Sequence, residues 1–288
     1  MAATAITADM VKKLRDQTGA GMMECKNALT EASGDFEEAN TILRKRGLAS
    51  AARKAGRSTS EGLIAHRVAA DGSSGTLVEV NCESDFVART PDFQQLMQNV
   101  LTEIENADAA ATDAWLKDPG GPVVRLLVPV IAKLGENMAV PRFVRYAGHG
   151  YVGQYIHLGG KIGVMVEFTG VTPAIAGNAG FQTLVKEIAM QVAAASPLYS
   201  SREQVPADAL EKEKEIYRAQ VKDKPANVID KIVDGKLGSY YQQVVLVDQL
   251  SVRDPKQSVK DVLAQTNKAM GTSVSVSRFA RLKVGEAP

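Results

Sequence analysis

Cysteine is scarce in this chain. Cys25 and Cys82 are the only two, far apart and outside any CxxC spacing, which excludes a secreted scaffold stapled by disulfides. Net charge is nearly absent as well: the formal balance is +1, so no global field points to nucleic acid or an anionic membrane as the main ligand. No apolar run approaches the roughly 20 residues that a membrane-spanning helix needs. The N-terminal residues from Met1 to Ile6 lack the basic-then-apolar order of a secretory signal. These absences lead to the expectation of a reduced, cytoplasmic protein with no membrane contact and no direct nucleic-acid partner.

Catalytic signatures are equally sparse. The three histidines, His66, His149 and His157, show no metal-ligand spacing with either cysteine. Gly148-His149-Gly150-Tyr151-Val152-Gly153 fits GxGxxG, but a dinucleotide fingerprint needs a helix after it, and Tyr155-Ile156-His157 reads as strand. Lys161 after Gly159-Gly160 fails as a phosphate loop, because Ile162 replaces the Mg²⁺-binding hydroxyl and Tyr155 the first glycine. No GxSxG, HExxH or kinase-type set occurs. The expectation is a protein that is not an enzyme, with no catalytic residues, no resident metal and no cofactor.

What is present is patterning. A chain of 288 residues exceeds the usual single core, so two or more packed units are expected. Thr7 can cap a first helix, with Ile6 and Val11 at staple spacing, and Gly19 and Gly21 end it. Met22, Cys25, Ala28, Leu29 and Ala32 recur at helical spacing up to Gly34. Asp35 to Glu38 opens a third helix, with Gly47 read as its stop. Fewer than fifty residues make a marginal core, so this bundle should lean on a partner or on the rest of the chain. Leu48–Gly62, small and basic, reads as a linker.

Leu63–Ala69 and Thr76–Glu83 form a hairpin, and Thr90-Pro91 opens a helix with Phe93, Leu96, Met97, Val100, Leu101 and Ile104 on one face. A further helix spans Val123–Leu134. The theme repeats with strands at Arg142–Ala147, Tyr151–Leu158 and Lys161–Phe168 and a helix capped by Asn178. Ala207–Asp223 and Ala226–Leu237, broken at Lys224-Pro225, read as a projecting helical hairpin. Tyr240–Val247, a helix at Ser258–Met270 and Thr272–Val284 should return to the second sheet. The expected fold class is α+β: a three-helix, UBA-like bundle at 1–48, a basic linker at 49–62, and a duplicated core. Its two subdomains span 63–140 and 141–288, the second with the helical hairpin at about 201–238.

Two segments carry more. Leu14-Arg15-Asp16-Gln17-Thr18-Gly19-Ala20-Gly21-Met22-Met23-Glu24-Cys25-Lys26-Asn27-Ala28-Leu29 closely resembles the N-terminal signature of the elongation factor Ts family. Read from the residues alone, Met22 and Met23 either both fill the core or present one adaptable side chain outward. The resemblance implies that the bundle docks on the GTPase domain of elongation factor Tu through Lys12, Arg15, Met22 and Met23.

Glu79-Val80-Asn81-Cys82-Glu83-Ser84-Asp85-Phe86-Val87-Ala88-Arg89 resembles the family's second signature, with Ser84 where its centre carries threonine. The hydroxyl is kept. By residues alone, the favoured reading is that Phe86 caps the local core while Asp85 starts a turn. The resemblance implies instead that Ser84, Asp85, Phe86 and Val87 enter near the partner's Mg²⁺ and phosphate site. Phe86 would act as a wedge there, and Asp85 would either oppose the metal's ligands or stabilise the displaced arrangement. Similarity continues through Gly159–Glu167 to the end of the chain. His157 matches a partner-facing family position, against a residue-level reading as a half-buried strand histidine. Many family members continue into a C-terminal helical module that also touches the GTPase, a departure here since this sequence stops at Pro288, just after Arg281-Leu282-Lys283-Val284. The implied function is guanine nucleotide exchange on elongation factor Tu. A scaffold without exchange activity, and an enzyme with a pocket around His157 and Asp85, are the competing readings.

Overall fold

Thr7 opens the structure in the way its side chain allows: Oγ1 accepts from the Met10 N–H at 3.2 Å and starts α1, Ala8–Thr18. Gly19, at φ +68°, closes that helix in the left-handed region. This computed structural model describes residues 5–108, 113–221 and 225–286. Helix α2, Met22–Glu31, and α3, Phe36–Lys54, complete a bundle whose core is Val11, Leu14, Cys25, Ala28, Leu29, Ala39 and Ile42. Asp35 caps α3 by accepting from the Glu38 N–H at 2.9 Å.

The stop expected at Gly47 does not occur. Helix α3 runs on to Lys54, so the first residues of the segment read as linker are helical. The reason is packing rather than propensity. A Cβ on Gly47 would lie 3.3 Å from Val128 Cγ1 and 3.9 Å from Ala132 Cβ, both in α7, Pro122–Leu134. The glycine permits two helices to approach closely, and the small bundle gains the support its size calls for.

The chain divides into two compact units, the first comprising Met1–Ala65, Val78–Phe143 and Lys283–Pro288, the second His66–Leu77 and Val144–Leu282. Strands β1, Glu61–Val68, and β2, Ser74–Cys82, contribute residues to both. In the first unit β2 pairs antiparallel with β3, Met138–Ala139, setting Asn81 opposite Ala139 and Cys82 opposite Met138. The single turn α4, Asp85–Ala88, follows β2 and leads to α5, Pro91–Asn106. Thr90 caps α5, Pro91 takes its first position, and all six apolar residues of the expected stripe are buried. The short α6, Asp113–Leu116, precedes α7, which ends at Gly135 with φ +80°.

The second unit has the sheet order β5-β6-β7, formed by Tyr151–His157, Ile162–Thr169 and Ser275–Lys283. Strand β4, Phe143–Ala147, precedes β5, and β5 pairs antiparallel with β6 from Tyr151 opposite Phe168 to His157 opposite Ile162. The short α8, Pro173–Ala176, leads into α9, Ala179–Ala195, capped by Asn178 and packed through Phe181, Leu184, Val185 and Ile188. Of the GxGxxG glycines, Gly148 takes a left-handed φ of +80° and the other two serve packing. A Cβ on Gly150 would overlap the Phe168 carbonyl, and one on Gly153 would overlap Val185 of α9.

Helices α10, Ala207–Gln220, and α11, Ala226–Val244, form the expected hairpin; Lys222, Asp223 and Lys224 lie outside the described residues. Helix α11 overruns its expected end at Leu237, and Tyr240–Val244 is helix rather than strand. Val233 and Leu237 are buried, while Tyr240, Tyr241 and Val244 are half-buried at the next turns. That 3.6-residue stripe overrides the β-propensity of a tyrosine- and valine-rich run. Helix α12, Val259–Met270, with a reciprocal capping box between Ser258 and Asp261, precedes β7, which begins at Ser275.

Candidate functional site

Lys12 and Arg15 lie on the exposed side of α1, while Val11 and Leu14 turn inward. Past the Gly19 turn, Gly21 donates its N–H to Glu24 Oε2 at 3.2 Å as α2 begins. The inward positions of α2 go to Cys25, Ala28 and Leu29. Met22 and Met23 are 50% and 64% exposed, so both methionines project rather than one. A polarizable, unbranched side chain in solvent suits an adaptable contact.

The second segment forms a corner between β2 and α5. Ser84 is the N-cap of α4: its Oγ accepts from the Val87 N–H at 3.4 Å. Ala88 is buried and Val87 packs against the core of the first unit, which pins the inner side of the turn. Phe86 falls on the other side and is 78% exposed. A phenylalanine there gains little from its own fold, because burying the whole side chain would contribute about 3 kcal/mol. Asp85 accepts from Arg89 Nη2 at 2.7 Å, an exposed pair one helical turn apart, so the two charges steady the turn only weakly.

Two glutamates that the sequence reading did not single out frame this corner. Glu136 Oε2 accepts from the Ser84 N–H at 2.9 Å, and its Oε1 accepts from the Ser84 hydroxyl at 2.6 Å. Glu83 Oε1 accepts from the Asn137 N–H at 2.6 Å and from Arg57 Nη1 at 3.4 Å. The Asn137 N–H, with Arg57 adding to it against a partial opposing desolvation, holds the Glu83 carboxyl below the ordinary glutamate value. Asn137, itself buried, donates Nδ2 to the Arg57 carbonyl at 2.9 Å. Glu136 lies 52 residues from Ser84 in sequence, and no local pattern links the two.

His157, at the end of β5, is exposed rather than half-buried. The Tyr155 hydroxyl lies 2.9 Å from its Nδ1, and the two rings stack with centroids 5.7 Å apart. Leu158, next in the chain, holds a left-handed φ of +51° and is 65% exposed. Thus Ser84, Asp85, Phe86 and Val87 form one corner of the first unit, and Lys12, Arg15, Met22 and Met23 lie on two helices of that unit's bundle. His157 belongs to the second unit. Among the described residues no group of three or more His, Cys, Asp or Glu side chains could hold a metal, and no helix is long and apolar enough to cross a membrane.

The fold is mixed helix and sheet with helices at its N-terminus, and the similarity to known proteins puts the chain in the class of translation elongation factors. The family model described as elongation factor TS matches residues 83–286. The chain is 43% identical over 290 residues to elongation factor Ts of Trichlorobacter lovleyi, covering 98% of this chain and 93% of that protein. It is also 43% identical to the Clostridium botulinum (strain Eklund 17B) elongation factor Ts, with the same coverage. With elongation factor Ts of Aquifex aeolicus it shares 41% over 293 residues, 98% of each chain. The chain belongs to the elongation factor Ts family.

Proposed function

We propose that this protein is a guanine nucleotide exchange factor for elongation factor Tu, working in the cytoplasm. The observation that carries the reading is Phe86, 78% exposed on a corner whose backbone and cap are both held. Lys12, Arg15, Met22 and Met23 dock the bundle on the GTPase, and His157 adds a contact from the second unit. Phe86 then enters an apolar pocket beside the partner's nucleotide site. Mg²⁺ in that site demands near-ideal octahedral oxygens and bridges the nucleotide to protein. Moving the segments that supply those oxygens loosens GDP without making or breaking a covalent bond. Asp85, whose carboxylate is already turned toward Arg89, keeps the corner's charge balanced until the partner's own groups compete for it.

The magnitude is adequate. Burying the exposed part of Phe86 only in the loosened state supplies about 2.3 kcal/mol, roughly 50-fold in GDP affinity. Coupling is reciprocal: whatever the factor takes from GDP binding, GDP takes from the factor's binding, so nucleotide entry releases the factor. The test is stopped-flow release of a fluorescent GDP from purified elongation factor Tu. Wild-type chain should accelerate release, and Phe86→Ala should form the complex yet lose most of the acceleration. Full acceleration by folded Phe86→Ala would remove the wedge.

A further inference from the structure

We infer that Glu136 is a positioning residue for exchange, one that sets the presentation of Phe86 through Ser84. This rests on the exchange reading above and adds to it a residue outside both signature segments.

The β2–β3 ladder ends at Cys82 opposite Met138. One step further out the chain turns into α4, and regular pairing stops. The two strands then exchange side chains in place of backbone: Glu83 takes the Asn137 N–H, and Glu136 takes the Ser84 N–H. The clasp is reciprocal, but its halves differ in consequence. Glu83 secures the β3 side. Glu136 secures the residue that caps the turn bearing Phe86, and it does so twice, at the N–H and at the hydroxyl.

The hydroxyl contact matters most. Ser84 Oγ gives its proton to Glu136, which leaves its lone pairs to accept from Val87 N–H. A free serine could rotate its hydroxyl to other partners and drop the cap. Helix α4 is a single turn of four residues, far below the length at which a helix holds itself, so its geometry depends on the cap and on the packing of Val87 and Ala88. Phe86 cannot supply the constraint, being almost wholly in solvent. Glu136 can. It follows Gly135, the left-handed cap of α7, whose Val123, Leu127 and Ile131 are buried in the same core as Phe93 and Leu96. Rigidity therefore passes from that core through the end of α7 to the Ser84 cap. A ring presented this way loses little conformational freedom on docking, which leaves more of its burial energy to act on the partner.

The experiment uses the full chain with elongation factor Tu loaded with fluorescent GDP, measuring release against factor concentration. Glu136→Ala, which removes both charge-assisted hydrogen bonds to Ser84, should lower the maximal rate at least about ten-fold, the scale of one such bond, with the half-saturating concentration unchanged because the docking bundle is intact. Glu136→Gln should recover only part of the rate, since its one carbonyl oxygen can accept from the Ser84 hydroxyl or N–H while its amide nitrogen cannot accept the other proton. On a Phe86→Ala background, Glu136→Ala should cost nothing further. Amide hydrogen exchange over residues 84–89 of the free protein should quicken in Glu136→Ala while the rest of the chain keeps its protection. Should Glu136→Ala lose its cooperative melt, Glu136→Asp, which keeps the charge and shortens the reach, carries the same comparisons. Unchanged protection at 84–89, an additive loss on the Phe86→Ala background, or a shift confined to the half-saturating concentration would each overturn the inference. If Phe86→Ala alone left release at the wild-type rate, the exchange reading would fall, while amide protection would still decide whether Glu136 holds the turn.

Discussion

Phe86 and Phe93 stand seven positions apart and should respond to the same change in opposite ways. Phe86 is 78% exposed and Phe93 is fully buried in the core of the first unit. Cutting Phe86 to alanine removes about a fifth of a phenylalanine's burial, about 0.6 kcal/mol of stability. Cutting Phe93 leaves a cavity in the core of the first unit, at about 3–5 kcal/mol. At about 3 °C per kcal/mol for a chain of this size, Phe86→Ala should melt within about 2 °C of wild type and Phe93→Ala about 10 °C lower. The exchange assay should reverse the order at 25 °C. Phe86→Ala should lose roughly 50-fold of acceleration, whereas the fraction of Phe93→Ala that remains folded should keep most of its own. Differential scanning calorimetry and stopped-flow GDP release on the same preparations make the comparison. Equal melting losses for the two variants would mean that the Phe86 ring is structural, and the functional assignment of the corner would lose its support.

Replacing Met22 and Met23 together by serine should raise the half-saturating factor concentration roughly ten-fold, from about 1.5 kcal/mol of lost apolar contact. The melting temperature should move little because both side chains are already exposed; an unchanged titration curve would refute their role in docking. Tyr146 offers a pH test. Burial chiefly, with Glu167 adding to it against the partial relief of Arg278, pushes its phenol up to about 12. The folded state therefore holds a proton that the unfolded state releases near pH 10, so stability is retained below pH 10. It should fall by about 2 kcal/mol as the pH rises to about 12. Tyr146→Phe should flatten that part of a stability–pH curve measured by urea unfolding, and an unaltered slope would count against the buried phenol.

What was legible in the sequence was whatever is local. Thr7, Asp35, Thr90, Asn178 and Ser258 each cap the helix they precede, because a cap is written within three residues of its target. The stripe on α5 and the strands from Phe143 to Thr169 were readable for the same reason. Gly47 was misread because its meaning lies in Val128, eighty-one positions away, which no helix-stop rule consults. Tyr240–Val244 was misread because β-propensity is weak against a buried stripe that continues from Val233 and Leu237. The corner residues Asp85 and Phe86 came from resemblance, since residue chemistry alone left Phe86 free to turn inward. Glu136 carried no signal at all. A glutamate after a glycine is common, and only the fold shows that its carboxylate closes on Ser84.

If the proposed function holds, a division of labour between the two segments follows from thermodynamics. A binding partner shifts an equilibrium only through contacts that differ between the two states. On the proposed reading, contacts of Lys12, Arg15, Met22 and Met23 with a GTPase surface that does not change shape would raise affinity for the loaded and empty forms alike, and could not by themselves release GDP. A ring that is accommodated only when the metal site has moved contributes its whole burial to the difference. Selection for tight docking alone would leave Phe86 free to turn back into the first unit, where burial would stabilise the chain by about 2 kcal/mol more. The corner instead keeps the ring in water and spends a serine, two glutamates and an asparagine to hold it there. Affinity and exchange should therefore separate on mutation: the methionines should move the half-saturating concentration, and the corner should move the maximal rate.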